Sequence, residues 1–343
     1  HGTLAELAEE AEGWEAHLGR PLVIIAESTE NDSRLVKSRE AGGFGLAALW
    51  SEDFEHALHA TVTGEMSGYY DGYHGIPDVA TVLKTGFVYM GQIYPYLDRH
   101  FGRPFEGGSG HRIVAYNQTH DHVGNRALGE RLGHLTTPGK LRIASALLFT
   151  SPFVPMLFHG EEWNASTPFQ YFTDHGDPEL AKAVREGRRR EFAAFIRDIE
   201  DIPDPQARET FARSKLNWSE LQEPARAALL EWYRRLIRLR RATPDLTDGR
   251  LNRVHISYDV DAQWIVVRRG AVVVACNLSD QAQALPLENF GPMDVLLYSD
   301  QEAPVELAGS RPPESVLIGR ITSARPTEEV GGAAAARGAK HYE

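Results

Sequence analysis

Cysteine is almost absent from this sequence of 343 residues, which contains only Cys276, inside an apolar run. A single cysteine cannot form an internal disulfide, so the chain is not one of the small secreted domains that disulfides hold together. We expect Cys276 to be a small buried side chain in a reducing compartment, and we therefore expect a cytoplasmic protein.

Long apolar runs and blocks of like charge are missing as well. No apolar stretch reaches the roughly 18 residues that a membrane helix needs. The net charge is −12 and the pI about 5.6, which argues against nucleic acid and anionic membranes as partners and suits a neutral substrate. Neither a G-x-G-x-x-G turn nor a Walker-type loop occurs, so a nucleotide-binding sheet is not favoured.

The residues that are present favour alternating helices and strands. The stretch TLAELAEEAEGWEAHLG is an amphipathic helix pattern, with Gly19 placed to end it. Four apolar stretches with helical segments among them predict parallel strands, the first of them buried on both faces. They are residues 21–27, 43–50, 111–121 and 154–163.

The second part of the chain has a different pattern. Residues 164–220 are polar and predict a helical excursion, and residues 223–241 predict an amphipathic helix. From residue 249 the period shortens, and 249–322 predicts a small antiparallel β-sandwich with QALPLE as one of its strands. We assign 1–248 to the larger domain and expect the low-complexity residues 323–343 to be a disordered tail.

Acids and histidines cluster where the predicted parallel strands end. Glu27 closes the first strand, His120 and Asp121 close the third, and Glu161 lies near the end of the fourth. Catalytic groups of parallel α/β barrels collect at the carboxyl ends of strands. Four strands are too few to close an eight-stranded barrel and would leave two open edges. We therefore expect the other strands to lie upstream of this sequence.

The stretch THDH (119–122) leaves three interpretations open on the residues alone. On a strand, His120 and His122 would point the same way and could reach one metal ion. Glu27 and Asp121 would instead suit a glycosidase, which places two carboxylates about the scissile bond. Partial desolvation would then raise the pKa of Glu27, so that it is protonated near neutral pH. In the third interpretation these acids only cap helices or pair with basic residues.

The same residues carry a resemblance to a known family. THD at a strand end, with a strand-closing glutamate two units earlier, resembles two signature motifs of the α-amylase superfamily of glycoside hydrolases. The similarity extends from residue 1 to about 322 and is closest to the maltooligosyltrehalose trehalohydrolase family. It is carried by IIAESTENDSRLV, SEDFEHALHATVTGEMSGYYDGY, NQTHDHVGNRALGERL and MLFHGEEWNASTPFQYFTDH.

This resemblance implies both a fold and a reaction. The implied fold is strands five to eight of a (β/α)8 TIM barrel, followed by the small β-sandwich. The implied reaction is cleavage of the α-1,4 bond next to the terminal trehalose unit of maltooligosyl trehalose, with release of trehalose. No metal or other cofactor is implied, and the implied partners are the α-glucan substrate and the N-terminal half of the same enzyme.

The resemblance also implies roles for individual residues. Glu27 matches the general acid/base, Asp121 the aspartate that stabilises the transition state, and His120 a residue that binds sugar hydroxyls. Glu161 matches a hydroxyl-binding carboxylate, and Trp163 an indole that stacks on a sugar. The remaining implied substrate-binding residues are Asn31, Asp32, Tyr69, Tyr70, Asn117, His122, Asn125 and Arg126.

Two departures from the family pattern matter. Ser28 stands where the family more often has Asp, which affects only local hydrogen bonding. Nothing matches the nucleophilic aspartate, which the family carries in a G-x-R-x-D setting, so we expect it upstream and expect these 343 residues alone to be inactive. A glycogen branching or debranching type of enzyme, and a catalytically dead carbohydrate-binding homologue, are the alternatives.

Overall fold

The computed structural model describes residues 2–106, 108–192, 202–300 and 309–322. The chain starts with helix α1 (Gly2–Leu18). Gly19 ends this helix with a left-handed φ of 63° while its N–H donates to the Glu15 carbonyl at 2.9 Å. The predicted first helix and its glycine stop are confirmed. The predicted tail at 323–343 lies outside the described residues.

Two small sheets occupy the first part of the chain. The parallel sheet has the order β1-β2-β5-β6, and an antiparallel hairpin is formed by β3 and β4. The strands are β1 (Ile25–Ala26), β2 (Ala48–Trp50), β3 (Met90–Tyr94), β4 (Arg99–Gly102), β5 (Ile113–Ala115) and β6 (Val154–Pro155). The four parallel strands follow chain order and fall within the four predicted stretches, although each is shorter.

Strand β1 is not buried on both faces, contrary to the prediction. Val23 is 62% exposed and Ile25 is 44% exposed. The reason is position, because β1 pairs only with β2 and forms one edge of the sheet. The inner strands β2 and β5 are buried, with Leu49 and Ile113 at 0% exposure.

Helices pack around this sheet and continue through the predicted excursion. Phe54, Leu83 and Ile143 contribute buried side chains to one main core. The helices after α1 are α2 (Glu52–Thr63), α3 (Ile76–Thr85), α4 (His120–Gly124), α5 (Leu132–Leu135), α6 (Pro138–Thr150), α7 (Pro178–Phe192), α8 (Arg208–Arg213), α9 (Pro224–Ala242) and α10 (Pro244–Thr247). None of the helices in the described ranges is both long and apolar enough to cross a membrane.

The last described part forms an antiparallel sheet of order β10-β11-β9-β8-β7. Its strands are β7 (Val254–Asp259), β8 (Trp264–Arg269), β9 (Val272–Asn277), β10 (Met293–Tyr298) and β11 (Ser315–Ile321). Cys276 is fully buried in β9, as predicted. QALPLE is not one of the strands, since Gln283 makes only an isolated bridge and a 3-10 turn follows at Leu287–Phe290.

This sheet is not paired with a second sheet in the described residues, so the predicted sandwich is not seen there. One face of β9, with Val272 and Val274, joins the helical core, and the other, with Val273, packs on Leu285 and Leu287. Helices therefore cover one face and an irregular segment covers the other, and both faces are buried without a second sheet.

Buried Arg269 connects this sheet to the helices, and Arg240 of α9 binds the same end of α6. Arg240 of α9 donates from Nη1 to the carbonyls of Phe149 and Ser151, both at 2.8 Å. Arg269 of β8 donates from Nη1 to the carbonyls of Thr150 and Ser151, also at 2.8 Å. The carbonyls at the end of α6 lack helical partners and carry partial negative charge, so these cations satisfy them. Burial lowers the pKa of each guanidinium to about 10.

Candidate active site

Three predicted acids and one further acid follow the carboxyl ends of the parallel strands. Glu27 comes directly after β1, Asp121 lies on α4 after β5, and Glu161 begins a 3-10 turn after β6. Glu52, which the sequence interpretation passed over, begins α2 directly after β2. Since parallel strands all end at one edge of the sheet, this arrangement collects acids on one side of the molecule.

Glu27 and His120 come together at this edge. Glu27 Oε1 lies 3.8 Å from His120 Nε2, and the two side chains are 51% and 53% exposed. The expected desolvation of Glu27 is therefore not supplied by the described residues. The open edge of β1 explains the exposure, because no strand or helix covers the outer side of Glu27.

The THDH stretch lies on a helix rather than at the end of a strand. Thr119 caps α4, and its Oγ1 accepts from the Asp121 N–H at 3.2 Å. Side chains two positions apart on a helix point in different directions. His120 therefore points towards Glu27, whereas His122 points into the protein. His122 Nε2 lies 3.1 Å from Oε2 of the buried Glu55. The interpretation of His120 and His122 as one metal-binding pair on a strand is wrong for this reason.

Asp121 is held from two sides. Asn125 Nδ2 donates to its Oδ1 at 2.8 Å across one turn of α4. Arg188 of α7 donates from Nη2 to the Gly124 carbonyl at 2.8 Å, at the last residue of α4. The excursion that carries α7 thus supports the short helix on which Asp121 sits.

Beneath α4 lies a buried cluster of one carboxyl and three imidazoles. Glu55 Oε2 is 3.4 Å from His56 Nδ1, and its Oε1 is 3.6 Å from His59 Nδ1. Burial raises the pKa of Glu55 well above its usual value, and it lowers those of His56, to about 4, and of His122. Burial thus disfavours the charged form of each of these groups.

This cluster contains the residues that could hold a metal. The ligand atoms of Glu55, His56 and His122 lie within 4.8 Å of one another, and two imidazoles with one carboxylate form a known zinc donor set. Both imidazoles also have other partners. His56 Nδ1 is 2.9 Å from the Glu52 carbonyl, and His122 Nδ1 is 2.7 Å from Thr119 Oγ1. These bonds provide both imidazoles with partners, whereas Glu55 Oε2 is buried without a hydrogen-bond partner among the described residues.

A cavity of about 250 Å³ opens beside Asp121. Tyrosines form much of its wall, and of the predicted residues Asp121, His122, Asn125, Arg126, Tyr69 and Tyr70 line it. The lining side chains that the sequence interpretation missed include Glu52, His56, Tyr73, Tyr94 and Tyr96. The two predicted tyrosines differ, since Tyr69 is 48% exposed whereas Tyr70 is buried, with its ring stacked on His59 at 3.9 Å.

Arg126 lines the cavity with its guanidinium already bound. Its Nη1 and Nη2 donate to the two carboxylate oxygens of Glu65 at 2.9 and 3.0 Å. His59 Nε2 lies 2.7 Å from the same Glu65, and these partners, His59 first, lower the pKa of Glu65 to about 2. The pair joins the segment after α2 to the segment after α4, on two sides of the cavity.

Three predicted substrate-binding side chains are buried away from the cavity wall. Asn117 is 4% exposed, Glu161 is 6% exposed and Trp163 is 2% exposed. Glu161 accepts from the Phe158 N–H at 3.1 Å, and burial raises its pKa to about 8. Hydroxyl binding by Glu161 and sugar stacking by Trp163 do not fit these positions.

The exposed indole in this region is Trp218. It is 65% exposed, and its ring centroid lies 5.2 Å from that of Trp163. Trp163 therefore supports an exposed aromatic side chain rather than offering its own face to solvent. No local pattern indicates this exchange, because the two residues are 55 positions apart in the sequence.

Asn31 and Asp32 also lie outside the cavity wall. Asn31 has a left-handed φ of 49° and donates from Nδ2 to Asp53 Oδ2 at 2.8 Å. Asp32 caps a 3-10 turn and binds the Arg34 side chain. Both side chains thus organise the backbone after Glu27, and neither faces the cavity.

Glu52 is the site residue with a readable signal in the sequence. It follows an apolar strand directly, as Glu27 does, in the stretch ALWSED. The sequence interpretation assigned Ser51 or Asp53 to the helix cap. Ser51 is that cap, with its Oγ accepting from the Phe54 N–H at 3.3 Å, and Asp53 is a buried acceptor for Tyr73 and for two backbone N–H groups.

Comparisons with known proteins agree with this geometry. Residues 249–318 match a family model described as a domain of unknown function, DUF3459. A malto-oligosyltrehalose trehalohydrolase of Brevibacterium helvolum is 43% identical over 88% of this chain and 51% of its own length. One of Mycobacterium tuberculosis is 42% identical over 83% of this chain and 49% of its own length.

Solved structures give the same relationship. A Salmonella typhimurium protein described as an alpha amylase superposes with a TM-score of 0.79 at 33% identity, covering 92% of this chain and 54% of that one. The chain spans about half the length of the curated relatives it matches. These findings confirm the resemblance that the sequence motifs carried and an α-amylase type of fold with a C-terminal antiparallel sheet.

Proposed function

The chain is homologous to the malto-oligosyltrehalose trehalohydrolases over most of its own length, and from this premise we propose that it carries part of a glycoside hydrolase site. The reaction is hydrolysis of the α-1,4 bond next to the terminal trehalose unit of maltooligosyl trehalose. The observation that carries the proposal is the position of Glu27, His120 and Asp121 after the carboxyl ends of two strands of one parallel sheet, with Glu27 Oε1 3.8 Å from His120 Nε2. The relatives' names do not favour a branching or catalytically dead alternative.

The proposed architecture follows from the same premise. The strands β1, β2, β5 and β6 would be strands five to eight of a (β/α)8 barrel, and residues 249–322 a separate C-terminal domain. The exposed apolar residues of β1 support this, because a neighbouring strand from the other half of the protein would cover them. A cytoplasmic location is in keeping with the single, buried and unpaired Cys276.

In the proposed mechanism Glu27 is the acid/base. It protonates the glycosidic oxygen of the leaving trehalose while an aspartate outside this chain attacks the anomeric carbon. Glu27 then accepts a proton from the water that hydrolyses the glycosyl-enzyme. His120, 3.8 Å from Glu27, binds sugar hydroxyls, and the substrate and the upstream half of the protein provide the desolvation of Glu27 that the described residues lack.

Asp121 acts as the charge stabiliser in this proposal. Its carboxylate is held by Asn125 at 2.8 Å and lines the cavity. A fixed negative charge there stabilises the oxocarbenium-like transition state without forming a bond to it. The cavity with Tyr69 provides an aromatic wall against which a sugar ring packs.

The test replaces Glu27 by glutamine in the full-length enzyme. Glu27→Gln is expected to lower trehalose release from maltooligosyl trehalose by about 100- to 10,000-fold, because the general acid is lost. Glu30→Gln, an exposed glutamate three residues further on, is the matched control and should leave turnover within about 2-fold. Wild-type turnover in Glu27→Gln would overturn the acid/base assignment.

A second arm of the same test uses the 343 residues alone, in which nothing matches the nucleophilic aspartate. The chain alone is expected to release no trehalose under conditions in which the full-length enzyme does. Measurable release by the chain alone would place the nucleophile within it and contradict the proposed division of the site.

A further inference from the structure

Glu52 is a partly buried carboxyl that lines the cavity without a protein partner. It begins α2 at the strand end where Glu27 and Asp121 also lie, and it shares the cavity wall with Asp121. Within the described ranges no hydrogen bond or ion pair reaches its carboxyl group; its backbone carbonyl alone is bound, by His56. A carboxyl in this position keeps its hydrogen-bonding capacity for a ligand.

The surroundings of Glu52 are acidic. Its pKa is raised to about 7, first by burial and then by Asp121, Asp53 and Glu27. Arg126, which lines the same cavity, is already bound to Glu65. The titratable groups facing Glu52 from its own helix and from the neighbouring elements are Glu27, Asp53, Glu55, Tyr94, Tyr116 and Asp121.

We propose that the Glu52 carboxyl forms hydrogen bonds with a hydroxyl of the sugar substrate and so is a further specificity-determining residue of the site. Its carboxyl lies on the cavity wall with no bond to another described residue, and a carboxyl group can pair with a hydroxyl. Sugar hydroxyls match this pairing and the tyrosine wall matches a sugar face. The inference rests on the proposed function and assigns Glu52 no part in bond cleavage.

The experiment compares two substitutions in the full-length enzyme. Glu52→Gln keeps a donor and an acceptor and cannot ionise, whereas Glu52→Ala removes both. With maltotriosyl trehalose near pH 6, Glu52→Ala is expected to raise KM by about 5- to 10-fold, the effect of one neutral hydrogen bond, with kcat within about 3-fold of wild type. Glu52→Gln should stay within about 2-fold of the wild-type KM.

Rescue by the conservative substitution separates binding by Glu52 from a structural role. A hydrogen bond to the substrate can be kept by the Glu52→Gln amide and is lost in Glu52→Ala, so the two variants should differ in KM and not in kcat. Glu10→Gln, on the exposed face of α1, is the control and should retain the wild-type KM.

The outcomes separate the two proposals. If the wild-type enzyme releases no trehalose, the proposed function fails. If it does so, and Glu52→Gln raises KM as much as Glu52→Ala, only the role of Glu52 is overturned. A Glu52→Ala enzyme with wild-type KM overturns it as well.

Discussion

The parallel sheet of this protein and its five-stranded antiparallel sheet differ in the length and the burial of their strands. The parallel strands are two or three residues long, and Ile25 of the edge strand β1 is exposed, as is Val23 just before it. The strands of the five-stranded antiparallel sheet have six or seven residues each, and apolar residues bury both faces of β9. The candidate catalytic groups all follow the less complete sheet. Stability and chemistry are thus divided between the two sheets.

The largest expected effect comes from one substitution made in both sheets. Ile318→Ala should lower the free energy of unfolding by about 2–5 kcal/mol, because Ile318 is fully buried in β11 and a cavity remains. Ile25→Ala in β1 should cost less than about 1 kcal/mol, since Ile25 is 44% exposed. Urea denaturation of both variants measures the difference. Equal losses would show that β1 is as buried as β11 in solution.

The next effect concerns the connection between the two sheets. Arg269→Met keeps the apolar stem and removes the donors to the carbonyls of Thr150 and Ser151. The Ser151 carbonyl keeps its bond from Arg240, whereas the Thr150 carbonyl loses the bond from Arg269, so a loss of about 1–3 kcal/mol is expected. Arg320→Met, on the exposed side of β11, is the control and should cost less than about 0.5 kcal/mol. If the two variants denature alike, the buried contacts of Arg269 contribute little.

The smallest effect is a pH dependence confined to the parallel-sheet region. His56 is buried there with its pKa lowered to about 4, so it contributes stability above its unfolded pKa near 6.5. This contribution is lost as the pH falls through about 4, and amounts to about 1–2 kcal/mol between pH 6.5 and pH 5. The Tm of His56→Asn should depend less on pH than the Tm of the wild type. His17→Asn, on exposed α1, is the control and should keep the wild-type dependence. A wild-type slope in His56→Asn would contradict the buried neutral imidazole.

Local patterns predicted the parts of the structure that depend on neighbouring residues. Helix α1 and its stop at Gly19, the order of the parallel strands and most antiparallel strands all follow from short-range periodicity. Strand ends also indicated Glu27 and Asp121, and the same signal at ALWSED indicates Glu52. The meeting of Glu27 with His120 is a consequence of parallel pairing, which a sequence pattern can anticipate.

Other features depend on contacts between distant segments, and local patterns missed them. His120 and His122 separate because Thr119 starts a helix, and Trp163 is buried because Trp218 covers it. The prediction that β1 is buried on both faces was wrong, because the exposure of a strand depends on which strand lies beside it. The sequence of β1 itself does not contain that information. The second sheet of the predicted sandwich is replaced by helices of the other region.

The shortness of the parallel strands has a consequence for insertions and deletions. Side chains of a strand alternate between its two faces, so one residue added before Glu27 would turn its carboxyl to the opposite face. The site would then lack its proposed general acid. The segment between β2 and β5, which supplies the tyrosine wall, carries α2, α3 and the β3–β4 hairpin on connecting loops, and changes of length in those loops leave Glu27 and Asp121 in register. Relatives with new substrate ranges are therefore expected to differ in the length of this segment, while the residues between each short strand and its catalytic side chain keep a constant number.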